Sequence, residues 1–143
     1  MKKLLSIMLT LIILLNLTSC GPNISKIKGE TIDIGSYTVL CPEGWTNNSK
    51  EDWWAKFQKS ENTSDLINTP SIIIQKFYGD ELGNDDKEKI SFKAGKIEWN
   101  GYKNGENLVL LAKVNDEKFV AQVYKCDVKD VEMLASLASI KLK

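Results

Sequence analysis

The sequence predicts an α+β domain in which an antiparallel β-sheet is flanked by helices and the chain ends in an amphipathic helix. The first observation is a series of short runs in which apolar and polar residues alternate, as they do along strands with one buried face. The second is the segment 127–139, whose apolar residues recur at helical spacing. A length of 143 residues, less an N-terminal leader, suits one domain, which we expect to span residues 31–143.

Residues 1–19 have the features of a secretory signal peptide. The basic residues Lys2 and Lys3 precede a largely apolar run of fourteen residues, 4–17, and small residues follow that run. A helix that crosses the bilayer core needs about 20 apolar residues, so this run is too short for a permanent membrane anchor. We therefore expect the mature protein to be exported.

The end of the leader, Leu17-Thr18-Ser19-Cys20, resembles the lipobox of bacterial lipoproteins. This resemblance implies cleavage between Ser19 and Cys20 and a diacylglyceryl thioether on the Cys20 sulfur, which leaves a mature chain of 124 residues. The attached acyl chains would then hold the protein stably on the membrane. The alternative is an ordinary signal peptide in which Cys20 has no role.

The composition excludes several functions. The chain has no His and no Arg, so it lacks the commonest general base and metal ligand near neutral pH, and the forked cation that binds phosphate. Without Lys2 and Lys3, 17 lysines face 19 acidic residues, and no basic stripe indicates nucleic acid as a partner. We expect no cofactor and no metal site. The abundance of Lys, Asn and Ile indicates a low-GC Gram-positive cell, which would place the protein on the outer face of the cytoplasmic membrane.

The first segments of the mature chain predict a tether and a hairpin. Residues 20–30 show no sustained periodicity, which is typical of a tether, and the ten residues 21–30 reach about 35 Å at most. In residues 31–41 the apolar positions change parity at Gly35-Ser36, which predicts a tight hairpin or a bulge there.

The middle of the chain predicts further strands. Residues 52–59 and 69–77 are expected to pair as a hairpin, with Trp53 and Phe57 facing the core. We expect a short helix near residues 85–92, and a strand at 96–99 that ends in the turn signal Asn100-Gly101. The clearest strand pair is 107–114 with 118–126. Both runs are apolar on both parities, so both faces of the sheet are expected to be covered near its centre.

Residues 127–139 are predicted to form the terminal helix. Asp127 is the expected N-cap, and the charge of Asp130 favours the same end of the helix. Lys129, Glu132 and Ser136 are expected on the polar face. The opposite, apolar face consists of Val128, Val131, Leu134, Ala135, Leu137 and Ala138.

Residues 37–45, with the sequence YTVLCPEGW, resemble the opening of PsbP-like domains, in which an aromatic and aliphatic run leads to Pro-x-Gly-Trp. Trp99-Asn100-Gly101 and the closing Ser139-Ile140 are similar to further short motifs of that family. The resemblance covers most of residues 31–143 and implies an α/β/α sandwich around an antiparallel sheet. It also implies a binding or assembly role, because members of the family are mostly non-enzymatic.

The sequence offers few candidate site residues. Cys41 and Cys126 either form a disulfide, which an exported protein can keep, or remain two buried free thiols. Trp54 is the possible binding residue, because its strand neighbours of the same parity are Lys56 and Gln58. A group of acidic residues lacks the spacing of a calcium loop and is expected to form a solvated loop; it comprises Asp80, Glu81, Asp85, Asp86 and Glu88.

These observations predict a lipid-anchored, non-enzymatic protein that binds another membrane or surface protein. The alternative is the binding of a small ligand or a cell-wall fragment through exposed aromatic side chains, and a Ser–Lys or acidic-pair hydrolase ranks third. A flat apolar patch around Trp54 would favour the first function. A buried pocket with convergent polar groups would favour the other two.

Overall fold

The computed structural model describes residues 23–59, 68–83 and 86–143. The predicted leader and the proposed lipid attachment at Cys20 lie outside these residues. Within the described ranges, no helix is both long enough and apolar enough to cross a membrane.

The described chain is mostly antiparallel β-structure with one α-helix. A large sheet of seven strands has the order β3-β4-β5-β9-β8-β7-β6, and a small sheet of three strands has the order β1-β2-β10. The predicted antiparallel sheet and terminal helix are confirmed, but the described residues contain one α-helix, so helices on both sides of the sheet are not found among them. After a 3-10 helix at Ile24–Lys26, the elements are β1 (Gly29–Ile34), β2 (Tyr37–Pro42), β3 (Thr46–Asn47), β4 (Trp54–Gln58), β5 (Ser71–Lys76), β6 (Lys89–Ala94), β7 (Ile97–Asn104), β8 (Asn107–Val114), β9 (Glu117–Tyr124), α1 (Val131–Ala138) and β10 (Lys141–Leu142).

Two-residue turns connect four of the neighbouring strand pairs: β1–β2, β6–β7, β7–β8 and β8–β9. Of the hairpin and the bulge predicted as alternatives at Gly35-Ser36, the structure has the hairpin, since Ile34 pairs with Tyr37 across it. The first turn residue has a positive φ in each hairpin of this kind, which explains the glycines at positions 35, 95 and 105. The predicted pairing of the strands around Phe57 and Ile72 is also confirmed, as is that of β8 with β9.

The turn predicted at Asn100-Gly101 is wrong, because both residues lie inside β7. They pair with Leu111 and Leu110 of β8. A side chain at Gly101 would collide with the carbonyl oxygen of Val109, so the glycine here permits the close approach of two strands.

The core lies between the inner face of the large sheet and a layer formed by β2 and α1. Phe57, Trp99 and Phe119 contribute large buried side chains from the large sheet, and Met133 and Leu137 contribute them from α1. The Tyr37 ring of β2 meets the Phe119 ring edge-on, with centroids 5.0 Å apart. Both sheets and the helix therefore share one core.

Helix α1 begins later than predicted. Asp130, and not Asp127, is the N-cap, and its carboxylate accepts hydrogen bonds from the backbone N–H groups of Glu132 and Met133. Asp127 instead begins the turn before the helix, where the Asp130 N–H donates to its carbonyl oxygen.

Two serines, Ser136 within α1 and Ser139 at its C-cap, complete the edge of β2. Ser136, which was expected on the polar face, is fully buried, and its hydroxyl donates to the Leu40 carbonyl oxygen at 2.8 Å. The Ser139 hydroxyl accepts the Leu40 N–H at 2.7 Å. Because β10 pairs only with Thr38 and Tyr37, these hydroxyls serve the next backbone groups of β2.

Three further predictions are wrong. The helix near residues 85–92 is replaced by β6, in which Ile90, Phe92 and Ala94 share one parity and face the core side. Trp53 does not face the core but lies in the turn before β4 and is 54% exposed. The tether is shorter than residues 20–30, because Ile24 packs against the core cluster and β1 begins at Gly29.

Strand β6 forms one edge of the large sheet. Lys89, Ser91 and Lys93 are exposed along it and alternate with apolar residues of the core side. Charged lysines on an edge strand discourage pairing with other chains.

Candidate functional site

The outer face of the large sheet, opposite the core, is the part of the molecule where the candidate residue Trp54 lies. Strand pairing places one straight row of side chains across this face: Trp54, Gln75, Val120, Leu111, Asn100 and Ser91. A second row lies beside it: Lys56, Ile73, Gln122, Val109, Tyr102 and Lys89. In the described part of the chain, no helix covers this face. The outer coverage predicted for the sheet centre is therefore limited to neighbouring side chains, which bury Val120 and partly bury Leu111 and Gln122.

These two rows are uncharged over most of their length. Their apolar and aromatic members lie together with the amides of Gln75, Gln122 and Asn100. The two rows contain no carboxylate, and the charged members Lys56 and Lys89 belong to β4 and β6, near opposite edges of the sheet. The centre of the outer face thus suits partners that bury apolar surface and accept or donate a few neutral hydrogen bonds.

A shallow hollow of about 280 Å³ lies at one end of the first row. Its walls are mainly apolar, and it is lined by Trp53, Trp54, Ile73, Gln75, Val120 and Gln122. The Trp53 and Trp54 rings are 6.0 Å apart and tilted by 44°. Trp54 is half-buried and Trp53 is 54% exposed, so the pair gives this hollow its most accessible aromatic surface.

The sequence identified Trp54 correctly as a residue outside the core but missed Trp53. The alternating pattern of the β4 segment places Trp53 at the parity of Phe57, but the strand begins one residue later. The hydrophilic run Lys50-Glu51-Asp52 immediately before it was the signal that the strand begins only at Trp54.

A second hollow, of about 400 Å³, lies farther along the outer face. It is lined by loop residues 80–82, and by Tyr102, Asn100, Ser91 and Leu111 of the sheet among others. Leu111 pairs with Val120, so this pair of side chains separates the two hollows. Asp80, one of the acidic group, lies 3.6 Å from the Lys118 ammonium. The described residues contain no cluster of three or more metal-binding side chains.

Cys41 and Cys126 are both buried free thiols in the structure, which corresponds to the second of the two alternatives predicted for them. Burial and the nearby Glu30 carboxylate raise the pKa of Cys41 to about 11. Burial, followed by the Asp130 carboxylate, raises the pKa of Cys126 to about 12. Thiols of this kind carry almost no thiolate near neutral pH and are therefore poor nucleophiles.

A cluster of polar contacts extends from the buried Trp45 side chain to the exposed Lys59. Glu132 of α1 accepts hydrogen bonds from the Trp45 indole N–H at 3.0 Å and from the Lys59 ammonium at 2.6 Å. Burial pushes the Glu132 pKa upward, but the hydrogen bonds from Lys59 and Trp45 outweigh it, and the pKa is lowered from its ordinary value. A carboxylate held ionised by two donors acts as a structural link rather than as a proton donor.

A tight turn at residues 42–45 fixes the position of Trp45 in this cluster. The Trp45 N–H donates to the Pro42 carbonyl oxygen at 3.0 Å, and Gly44 has a φ of 84°. A type II turn requires a positive φ at its third residue, which explains the Pro-x-Gly-Trp sequence. The turn directs Trp45 toward the first turn of α1.

The fold defines the chain as an antiparallel β domain with one described helix. No family model matches the sequence, and no curated protein matches it. The fold is similar to that of a Bacteroides thetaiotaomicron protein known from a crystal structure, with a TM-score of 0.53 and 13% sequence identity. The similarity covers 82% of this chain and 49% of that protein, so the chain spans about half its length. This similarity concerns the fold alone.

Proposed function

We propose that the protein is a lipid-anchored, non-enzymatic binding module that holds a protein partner at the outer face of the cytoplasmic membrane. The observation that carries this proposal is the hollow around Trp54, on a sheet face that no described helix covers. An open apolar patch rimmed by polar groups is typical of a protein interaction site.

The composition of the hollow supports a protein partner. Tryptophan is the side chain most often found at the energetic centre of protein interfaces, and here Trp54 lies beside the apolar Ile73 and Val120. The amides of Gln75 and Gln122 offer neutral hydrogen bonds at its floor. The hollow is shallow and open, which suits a protein surface better than a small molecule.

A second candidate function is the binding of a small ligand or cell-wall fragment. It is favoured by the combination of two adjacent indoles with two amides in one hollow. Aromatic rings can stack on the apolar face of a sugar while amides bond its hydroxyl groups.

The lipid anchor rests on the lipobox sequence at Cys20 and the preceding apolar run. The Gram-positive location rests on composition alone. We expect Cys20→Ala to release the protein from the membrane fraction of cells. A variant that stays membrane-bound would exclude anchoring through Cys20.

We also propose that the domain is a PsbP-like core with one helical layer. In support, two of the three motifs behind the resemblance meet at helix α1: Trp45 bonds Glu132, and Ser139, the residue that caps the end of α1, bonds Leu40. The second helical layer of an α/β/α sandwich would belong on the outer face, and β6 occupies the segment where its helix was expected.

The proposed function is tested by photo-cross-linking in intact cells. A photoreactive side chain replaces Lys56, next to Trp54 on the outer face, and a control places it at the exposed Lys129 beyond the sheet. We expect one protein to be captured at position 56 and not at position 129, and to be lost when Trp54→Ser is added.

Capture that is the same at both positions, or that survives Trp54→Ser, would contradict the proposed surface. Failure to capture any protein, together with a sugar that co-purifies with the wild-type domain and not with Trp54→Ser, would favour the second candidate.

A further inference from the structure

The strands of the large sheet run between two opposite ends of the sheet, and the two ends differ in how many apolar side chains they expose. We call one of them the turn end, because it contains the β6–β7 turn at Gly95-Lys96 and the β8–β9 turn at Asn115-Asp116. Strand pairing places the first residue of β4, Trp54, and the last residue of β5, Lys76, at this end as well. The opposite end contains the β7–β8 turn at Gly105-Glu106.

Exposed apolar side chains are concentrated at the turn end. In the described ranges four large hydrophobic residues are exposed: Trp53 at 54%, Tyr78 at 90%, Val131 at 38% and Leu142 at 56%. Trp53 immediately precedes β4, and Tyr78 follows β5 by two residues. Leu142 pairs with Tyr37 beside the Gly35-Ser36 turn, and the Gly35 N–H donates to Asp52, the neighbour of Trp53. Only Val131, at the start of α1, lies elsewhere.

The N-terminus of the described chain also leads to the turn end. A side chain at Gly95 would lie 3.6 Å from Ile24, so the 3-10 helix packs beside the β6–β7 turn. Asn23 precedes that helix, and only Gly21 and Pro22 separate Asn23 from Cys20. Three residues span about 11 Å at most, so a lipid on Cys20 holds this side of the domain close to the bilayer.

Several carboxylates at the turn end are paired with lysines. Four such pairs are Asp33 with Lys143 at 2.9 Å, Glu117 with Lys76 at 3.2 Å, Asp80 with Lys118 at 3.6 Å and Asp116 with Lys113 at 3.7 Å. Each pair reduces the net negative charge that this surface would bring to lipid headgroups.

We propose that the turn end is a membrane-resting surface, on which Trp53, Tyr78 and Leu142 lie at the headgroup level of the bilayer that holds the lipid anchor. Trp and Tyr are the side chains enriched at membrane–water interfaces. The proposal rests on the proposed anchoring through Cys20.

The proposed orientation limits which proteins can reach the hollow around Trp54. Trp54 stands at the turn end of β4, so the hollow around it would face sideways just above the bilayer. A partner that reaches it would be a membrane protein with a segment close to the bilayer surface. A protein whose binding surface lies far from the membrane would reach this hollow less readily.

The orientation is tested with the lipidated, full-length mature protein in phospholipid vesicles. One variant, Lys96→Cys, carries a fluorophore at the turn end, and a matched variant, Glu106→Cys, carries it at the opposite end of β7. Eight residues of strand separate the two sites by about 27 Å. Both positions are exposed turn residues, and Cys41 and Cys126 are buried, so the label enters at the new cysteine.

We expect lipids with a quencher in the headgroup to quench the Lys96→Cys label several-fold more than the Glu106→Cys label. Adding Tyr78→Ser and Leu142→Ser should reduce that difference. Equal quenching at both sites, or stronger quenching at position 106, would overturn the proposed orientation. If the protein does not float with the vesicles at all, the lipid anchor fails, which is a separate result from a wrong orientation.

Discussion

The two faces of the large sheet use the same strands for different purposes. On β4, Phe57 points inward and is completely buried, whereas Trp54 points outward and is only half-buried. The inner face is closed by β2 and α1, which bring their own apolar residues to one shared core. No described helix or strand packs above the outer face. Burial is thus concentrated on the inner face, and the outer face is the one on which we propose that a partner binds.

The strongest test of this contrast is a pair of substitutions on β4. Phe57→Ala should lower the free energy of unfolding by about 3–5 kcal/mol, because it leaves a cavity in the core. Trp54→Ala should lower it by only about 1 kcal/mol, because the half-buried side chain leaves no closed cavity. Urea unfolding of the mature domain measures both. Equal losses would mean that the outer face is part of the core.

The buried core and the outer face of the large sheet can also be compared by the rates at which cysteine thiols react there. Cys41 has a pKa near 11 instead of 9.0, which leaves about 100-fold less thiolate at neutral pH, and its burial slows reagents further. The variant Gln75→Cys provides a matched thiol on the outer face. We expect it to react at least about 100-fold faster than Cys41 or Cys126 in the folded protein.

Unfolding without a reductant completes that experiment. Both native thiols should then become reactive, because both are free in the structure. If neither reacts until a reductant is added, the protein carries a bridge between them.

A single hydroxyl tests how far the inner layer depends on its edge contacts. Ser139→Ala removes the acceptor of the Leu40 N–H, and we expect the free energy of unfolding to fall by about 1–3 kcal/mol. The control Ser91→Ala, at an exposed position of the outer face, should change it by less than about 0.5 kcal/mol. A Ser139→Ala variant as stable as the control would show that water replaces the hydroxyl.

The smallest expected effect is the dependence of stability on pH that the Glu132 carboxylate causes. The Glu132 pKa is lower in the folded protein than its ordinary value of 4.5, so ionised Glu132 stabilises the fold fully above that value. The contribution is lost as the pH falls through the lower, folded pKa. At pH 7 we expect Glu132→Gln to reduce the free energy of unfolding by roughly 1 kcal/mol.

Unfolding curves between pH 7 and pH 3 follow this difference, which should shrink toward the acid end. Glu98→Gln, an exposed residue of β7, controls for the removal of one negative charge. A gap between wild type and Glu132→Gln that does not change with pH would contradict the role given to the hydrogen bonds from Lys59 and Trp45.

Local patterns predicted the parts of the fold that depend on neighbours along the chain. The Gly35-Ser36 hairpin followed from a parity change, and the β8–β9 pair followed from two long apolar runs. The terminal helix was found as well, because its apolar residues repeat at helical spacing. Its first residue was misplaced because Asp127 and Asp130 are both good caps, and only the packing of the helix selects between them.

Contacts between distant segments explain the errors. Asn100-Gly101 has the composition of a turn, yet the close approach of Val109 from β8 is what requires the glycine. Ser136 was placed on the polar face because the sequence cannot show that Leu40 of β2 would supply its acceptor. The predicted tether is too long because the segment around Ile24 packs against α1 and beside the β6–β7 turn, at least about seventy residues later in the chain.

The candidate site was predictable only in part. Trp54 could be found because the strand residues of the same parity, Lys56 and Gln58, are polar. The hollow beside it could not, since its walls come from β4, β5 and β9, and the place of β9 between β5 and β8 is a property of the whole topology.

The lysines of β6 have a consequence for how many copies a membrane can hold. Molecules attached to one bilayer by short lipid tethers share a plane, and their edge strands meet far more often than they would in solution. Each β6 that approaches another would bring Lys89 and Lys93 against the same two ammonium groups. Like charges would therefore keep two β6 edges from pairing when the proposed anchor crowds the membrane surface.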